Sequence, residues 1–293
     1  MGVRAVTGAI DGLTPLLVVL LLASPAVAQA PKKDGHLHDI ELCNGVNRSP
    51  SEARINSCTA LIEASQDMTT AGLAIAYNNR GNAYAAGRDY DRAIRDFDSS
   101  IKLNPKYDKP LNNRGVAFLK KGEYDRAIDA FDQAIKLTPS YGEAFANRAG
   151  AYLKKSEYDR AAQDYDEAIR LEPNLEGVWN GRCWTRAILG ALRAALEDCN
   201  KALQSNSSSA AAASNAATYD SRGLIYLKMG QTSAAVEDYS SALRLDPKLA
   251  SAFYGRGLAE LKRGDHAHGD ADISKAKAIR GNIADDFARY GVR

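Results

Sequence analysis

The 293-residue sequence lacks the marks of a catalyst. It has no Gly-rich phosphate loop, no G-x-S-x-G elbow and no H-E-x-x-H pair. Its reading is therefore non-catalytic, with no cofactor and no small-molecule substrate. Charge of one sign is missing too: 38 basic residues face 36 acidic ones, a net charge of +2. Basic and acidic side chains alternate, and without a clustered basic face nucleic acid is not a partner. Histidine is scarce. The four residues form two H-x-H pairs, His36/His38 and His266/His268, beside Asp34, Asp39, Asp265 and Asp270. Such sets can hold zinc, but a tail and an inter-helix turn favour solvated imidazoles, and no metal site is assigned. Four cysteines without a C-x-x-C exclude a dithiol redox motif or a zinc knuckle. The apolar run at the start, Leu16–Ala23, has eight residues, too few to cross a bilayer.

That short run has another use. Arg4 precedes it and Ala26-Val27-Ala28 follows it, which makes residues 1–28 a secretory signal peptide cleaved after Ala28, with Asp11 an unusual inclusion. The mature chain is expected in the periplasm or outside the cell, touching the membrane only through the removed leader. Oxidising compartments permit disulfides. Cys43–Cys58 and Cys183–Cys199 are the pairs closest in sequence. Two buried thiols are the alternative for the second pair.

What is abundant is repetition. Arginine recurs at 80, 114, 148, 182, 222 and 256, at intervals of 34, 34, 34, 40 and 34 residues. A fixed period of this size marks stacked repeats. Counting Ala74 as position 1, position 4 is bulky (Tyr77, Leu111, Phe145, Trp179, Tyr219, Phe253) and position 8 small (Gly81, Gly115, Ala149, Cys183, Gly223, Gly257). Position 20 is Ala or Gly, and position 24 is mostly aromatic. The spacing is helical. Breaks near Gly87-Arg88-Asp89 and Gly122-Glu123 divide each unit into two helices, and prolines 105, 139, 173 and 247 stop the second. One hairpin cannot bury both faces, so hairpins stack around a continuous core.

These residues resemble the tetratricopeptide repeat family. The resemblance implies an all-α, right-handed superhelical solenoid whose first helices line a concave, peptide-binding groove. Six repeats are expected, at 74–107, 108–141, 142–175, 176–209, 216–249 and 250–283. A divergent helical cap (29–73) precedes them and a capping tail (284–293) follows. In the cap, Ser49 is expected to be the N-cap of a helix with Pro50 at its first position. The fourth repeat is worn, and the six extra residues within Ser205–Ala217 either lengthen a helix or bulge as a loop.

The groove reading assigns Asn78, Asn112 and Asn180 at position 5, Asn79, Asn113 and Asn147 at position 6, and Asn82 at position 9. Asparagine amides carry both a donor and an acceptor, as the backbone of an extended peptide requires. Farther along, Trp184, Leu224 and Tyr254 form an apolar patch, which is either a second part of the groove or core. Arg at position 7 and Asp at position 23 (Asp96, Asp164, Asp198, Asp238, Asp272) suggest a structural ion pair. The carboxylate clamp of chaperone-binding members does not carry over. Its slots hold Asn78, Asn82, Asn113, Glu143 and Asn147, without a cation. The function expected is a non-catalytic protein- or peptide-binding scaffold of the envelope; the alternative is a solenoid that self-associates into a homo-oligomer.

Overall fold

The computed structural model describes residues 33–45, 50–205 and 212–292. The leader, the Ser49 cap and residues 206–211 of the insertion lie outside the described residues. The order is α1 (Lys33–Cys43), α2 (Ser51–Glu63), α3 (Thr70–Ala86), α4 (Tyr90–Leu103), α5 (Lys109–Lys121), α6 (Tyr124–Leu137), α7 (Gly142–Lys154) and α8 (Tyr158–Leu171). Then come α9 (Val178–Ile188), α10 (Leu192–Ser205), α11 (Ala212–Lys228), α12 (Thr232–Leu245), α13 (Ala250–Lys262), α14 (His266–Ile279) and α15 (Ile283–Arg289). No strand occurs among the described residues. Pro50 stands one place earlier than expected, at the N-cap of α2 instead of inside it. The alanines from 212 onward are helical and lengthen α11 to 17 residues.

Each repeat is a hairpin, α3/α4 through α13/α14, and the small-against-large pattern closes it. A Cβ placed on Gly115 would lie 2.5 Å from Phe131 Cε1, so the position-24 ring packs directly on the position-8 backbone. In the fourth repeat a disulfide replaces that pair. Cys183 and Cys199 occupy positions 8 and 24, with Cα atoms 5.3 Å apart. The other disulfide, Cys43–Cys58, joins α1 to α2, with Cα atoms 4.8 Å apart.

The turn between the helices needs one left-handed residue, at position 15 of every repeat. Gly122, Gly190, Gly230 and Gly264 supply it (φ 76° to 86°), but Arg88 (63°) and Ser156 (60°) do so in repeats one and three. In the first repeat the glycine lies one place early, and Gly87 has an ordinary φ of −79°.

The expected Arg–Asp pair is present. Arg80 Nε and Nη2 donate to Asp96 at 2.8 Å each, and the same fork joins Arg148 to Asp164, Arg182 to Asp198, Arg222 to Asp238 and Arg256 to Asp272. The free Nη1 does more. It reaches back to position 25 of the preceding repeat, from Arg148 to Asp132 (2.5 Å) and from Arg182 to Asp166 (2.7 Å). Arg114 contacts Asp98 (2.7 Å) in the same way, but Ala130 holds its position 23, and its buried Nε has no partner. Each arginine thus ties three helices together. Burial pushes the Arg148 pKa down, but its bonds to Asp164 and Asp132 outweigh this and leave it raised.

The buried apolar residues group into clusters along one stack, in which each helix from α3 to α14 touches the next. A first cluster runs from Ala93 to Val178 and a second from Leu224 to Val292; between them lies a small one built on the Cys183–Cys199 disulfide and Ile225. The small cluster carries the packing across the insertion, from α9 and α10 to α11. One period past Phe253 stands Phe287, so α15 begins as a seventh first helix. It leaves the stack, however: Tyr290 meets Trp184, which belongs to the fourth repeat, with ring centroids 5.4 Å apart.

Candidate functional site

The first helices approach one another from repeat to repeat more closely than the second helices do, so they form the inner face. Three asparagine bonds stitch that face, each spanning 35 residues. Asn113 Nδ2 donates to Asn78 Oδ1 (2.9 Å), Asn147 Nδ2 to Asn112 Oδ1 (3.0 Å), and Asn79 Nδ2 to Asn44 Oδ1 (3.0 Å). The position-5 residues lie beneath the surface, Asn78 being 3% exposed and Asn112 1%. They are committed to holding repeats together, not to a ligand. The position-6 residues Asn79, Asn113 and Asn147, with Asn82 at position 9, remain half-buried on the inner face. Asn44 was missed from sequence, although its 35-residue distance from Asn79 equals that of the other two pairs.

The ladder ends for a steric reason. Where the preceding position 24 is phenylalanine (Phe97, Phe131), position 6 is asparagine. Where it is tyrosine, position 6 is glycine: a Cβ on Gly181 would stand 2.4 Å from Tyr165 Cζ, and one on Gly255 2.2 Å from Tyr239 Cζ. The phenol fills the slot that an amide would take. Burial pushes the Tyr165 hydroxyl up to about 12. Asn180 occupies a position-5 slot whose donor has gone. Ser221 stands at position 6 of the next repeat and donates to Ala217 O (2.9 Å), so Asn180 Oδ1 is sealed without a partner.

In the C-terminal half the inner face is covered by the chain itself. Leu224 is buried at 4% exposure in one cluster with Ile283, Phe287 and Val292. Tyr254 packs on Phe287 (4.8 Å), and Trp184 lies edge-on between Tyr158 (6.0 Å) and Tyr290 (5.4 Å). The three apolar residues assigned to the groove are thus brought together, beneath the tail. In front of Trp184 and Tyr290 lies an open cleft of about 490 Å³, bordered by Leu153, Lys154, Tyr158 and Arg289.

The histidines form no metal site among the described residues. Asp265 caps α14, accepting from the His268 N–H (3.1 Å) and contacting His268 Nδ1 (2.7 Å). This hydrogen bond raises the His268 pKa. No helix among the described residues is long and apolar enough to span a membrane.

Stacked helical hairpins, bound through first-helix amides and arginine forks, define an α-solenoid. Its repeats match known profiles: residues 74–107 and 112–176 match ones described as tetratricopeptide repeat, and 223–264 one described as TPR repeat. The chain is a tetratricopeptide repeat protein. In fold it is similar to a tetratricopeptide repeat protein from Parabacteroides merdae, at a TM-score of 0.63 and 17% identity over 88% of this chain and 99% of that one. It also resembles a chain of the APC/C hetero-tetramer Cut9–Hcn1 (0.70, 17%, 90% of this chain and 50% of that one). A third similar structure is YrrB, described as a TPR protein with an unusual peptide-binding site (0.50, 19%, 66% and 97%). No curated protein matches the chain in sequence.

Proposed function

We propose that this protein is a non-catalytic scaffold of the cell envelope whose inner face over repeats one to three receives an extended segment of a partner protein. The observation that carries the reading is the file of half-buried asparagines, one per repeat, held in register by the ladder. Each Nδ2 is engaged, and the Oδ1 atoms of Asn113 and Asn147 remain as acceptors for backbone N–H groups. Packed helices lie about 8–10 Å apart, and an extended strand rises about 3.3 Å per residue. One amide would therefore meet about every third residue of a bound segment. Val116, Leu119 and Leu153, half-buried on the same helices, would take its apolar side chains. YrrB, of similar fold, is described by its peptide-binding site, which supports the choice. Export rests on the leader pattern and on two cysteine pairs at bonding distance.

Removing the ladder asparagines would damage the stack, so the test leaves them in place. Peptides selected by display on the wild-type protein should lose binding to an Asn82→Glu/Val116→Glu variant of unchanged helicity. Selection of no peptide, or equal binding to both proteins, would sink the reading.

A further inference from the structure

One cavity contains polar atoms that the fold leaves unanswered. It measures about 150 Å³ and lies under the tail, among repeats four, five and six. Asp220 and Tyr239 both line it, and Asp220 Oδ1 and Tyr239 Oη, each with almost no accessible surface, have no hydrogen-bond partner. Tyr239 is fully buried. Asp220 Oδ2 is held by Ser251 Oγ at 2.7 Å. Trp184, Phe287 and Tyr290 supply aromatic walls.

The acid is out of keeping with its place. Asp220 occupies position 5, where repeats one, two and four have the neutral amides Asn78, Asn112 and Asn180. Its would-be partner at position 6 is Gly255, over which the Tyr239 ring lies. A carboxylate oxygen sealed from water and bonded to no cation is costly. Arg280, the cation among the lining residues, attracts Asp220 through space but is directed to Asp286 (3.4 Å) and makes no bond to Asp220. The hydroxyl protons of Ser251 and Ser221 are already committed, to Asp220 Oδ2 and Ala217 O. The side chains that border the cavity therefore bring a carboxylate, a phenol and serine lone pairs beside aromatic rings, with Arg280 as their one cation.

A compact cation with several donors answers that set. An ammonium carries three N–H donors, gains from aromatic faces, and is small enough for a chamber that about five waters would fill. We propose that this cavity binds a primary ammonium group, with Asp220 as its counter-ion and Tyr239 Oη as its second acceptor. The assignment does not draw on the groove of repeats one to three. The ammonium can come from a free small amine or from a lysine side chain of a polypeptide.

The test is calorimetric titration of the full chain with n-butylammonium and with Nα-acetyl-lysine methylamide; tetramethylammonium, which cannot donate, serves as control. The variants are Asp220→Asn, which restores the amide of the other repeats and should fold, and Tyr239→Phe, which removes one oxygen. Saturable binding of n-butylammonium is expected, weakened about tenfold or more by either variant, with no binding of tetramethylammonium. Binding of the lysine derivative as well would identify a side-chain site, and binding of the free amine alone a small-molecule site; both support the proposal. Absence of saturable binding by either amine overturns it. So does affinity unchanged in both variants, or a crystal grown with the amine that shows only water in the chamber.

Discussion

Replacing Asp220 by asparagine should make the ligand-free protein more stable at neutral pH, which is unusual for a change at a hydrogen-bonded residue. Burial raises the carboxyl from 3.8 to about 6, against the opposing pull of the Ser251 bond and Arg280. A shift of roughly two units is worth about 3 kcal/mol. The side chain as a whole is only half-buried although Oδ1 is sealed, so about 1–3 kcal/mol is the sounder expectation. The direction follows from proton uptake. Between about pH 4 and pH 6 the folded state binds the Asp220 proton more tightly than the unfolded chain does. Stability therefore falls as pH rises through that window and levels off above it. The variant lacks this loss, so its advantage should be full at pH 7 and vanish near pH 4. Asp89, Glu123, Glu157 and Asp265, whose carboxyls are lowered by their hydrogen-bonded partners, act in the opposite sense but are common to both proteins and cancel in the difference. Hydrogen exchange of α11 to α13, compared between the two proteins across this range, reads the quantity directly. A pH-independent difference, or a variant less stable at pH 7 than at pH 4 relative to wild type, would refute the reasoning.

Ser156→Gly should stabilise the third repeat by about 1 kcal/mol, because Ser156 pays the left-handed penalty that glycine avoids at the same turn elsewhere; a lower melting temperature would count against this. Ala130→Asp should give Arg114 the carboxylate that its five counterparts have and raise stability by about 1 kcal/mol, as denaturant melts would show. Phe287→Ala should cost the C-terminal cluster about 3–5 kcal/mol. It should also shift Trp184 fluorescence to the red; an unchanged spectrum would mean that the tail does not cover Trp184. His268 should titrate above its usual range by NMR, since protonation strengthens its bond to Asp265, and Asp265→Asn should bring it back.

The solenoid was legible because each position answers to one neighbour. A glycine at position 8 and a ring at position 24 lie on facing helices of the same hairpin, so their spacing within one unit suffices. The Arg80–Asp96 type of pair was legible for the same reason. Contacts between units were not. That Asp98, Asp132 and Asp166 receive the next repeat's arginine depends on the stagger between repeats, which no single period reveals. Asn78 and Asn112 read as surface residues, because a helical wheel shows which face a residue occupies but not how closely the next helix approaches that face. The tail was expected to close the last apolar face, but its reach to Trp184 of the fourth repeat is a contact between distant units, which the period of one repeat does not reveal. The break near Gly87-Arg88-Asp89 was legible, but not that Arg88 would be its left-handed residue, since an arginine carries no signal for that conformation.

The backward reach of the arginines has a mechanical side. From Arg114, Arg148 and Arg182 it ends on a carboxylate, but from Arg222 it ends on Asn200 (2.7 Å) and from Arg256 on Ser240 (3.1 Å), both uncharged. At the first of these weaker couplings the asparagine ladder has already stopped, and packing of Ile225 on the Cys183–Cys199 pair takes over. Pulled by its two ends, the molecule should not unravel evenly. It should peel from its C-terminal side, where the arginines of repeats five and six reach back to uncharged partners, and leave the N-terminal repeats to recoil as a unit when the load is removed.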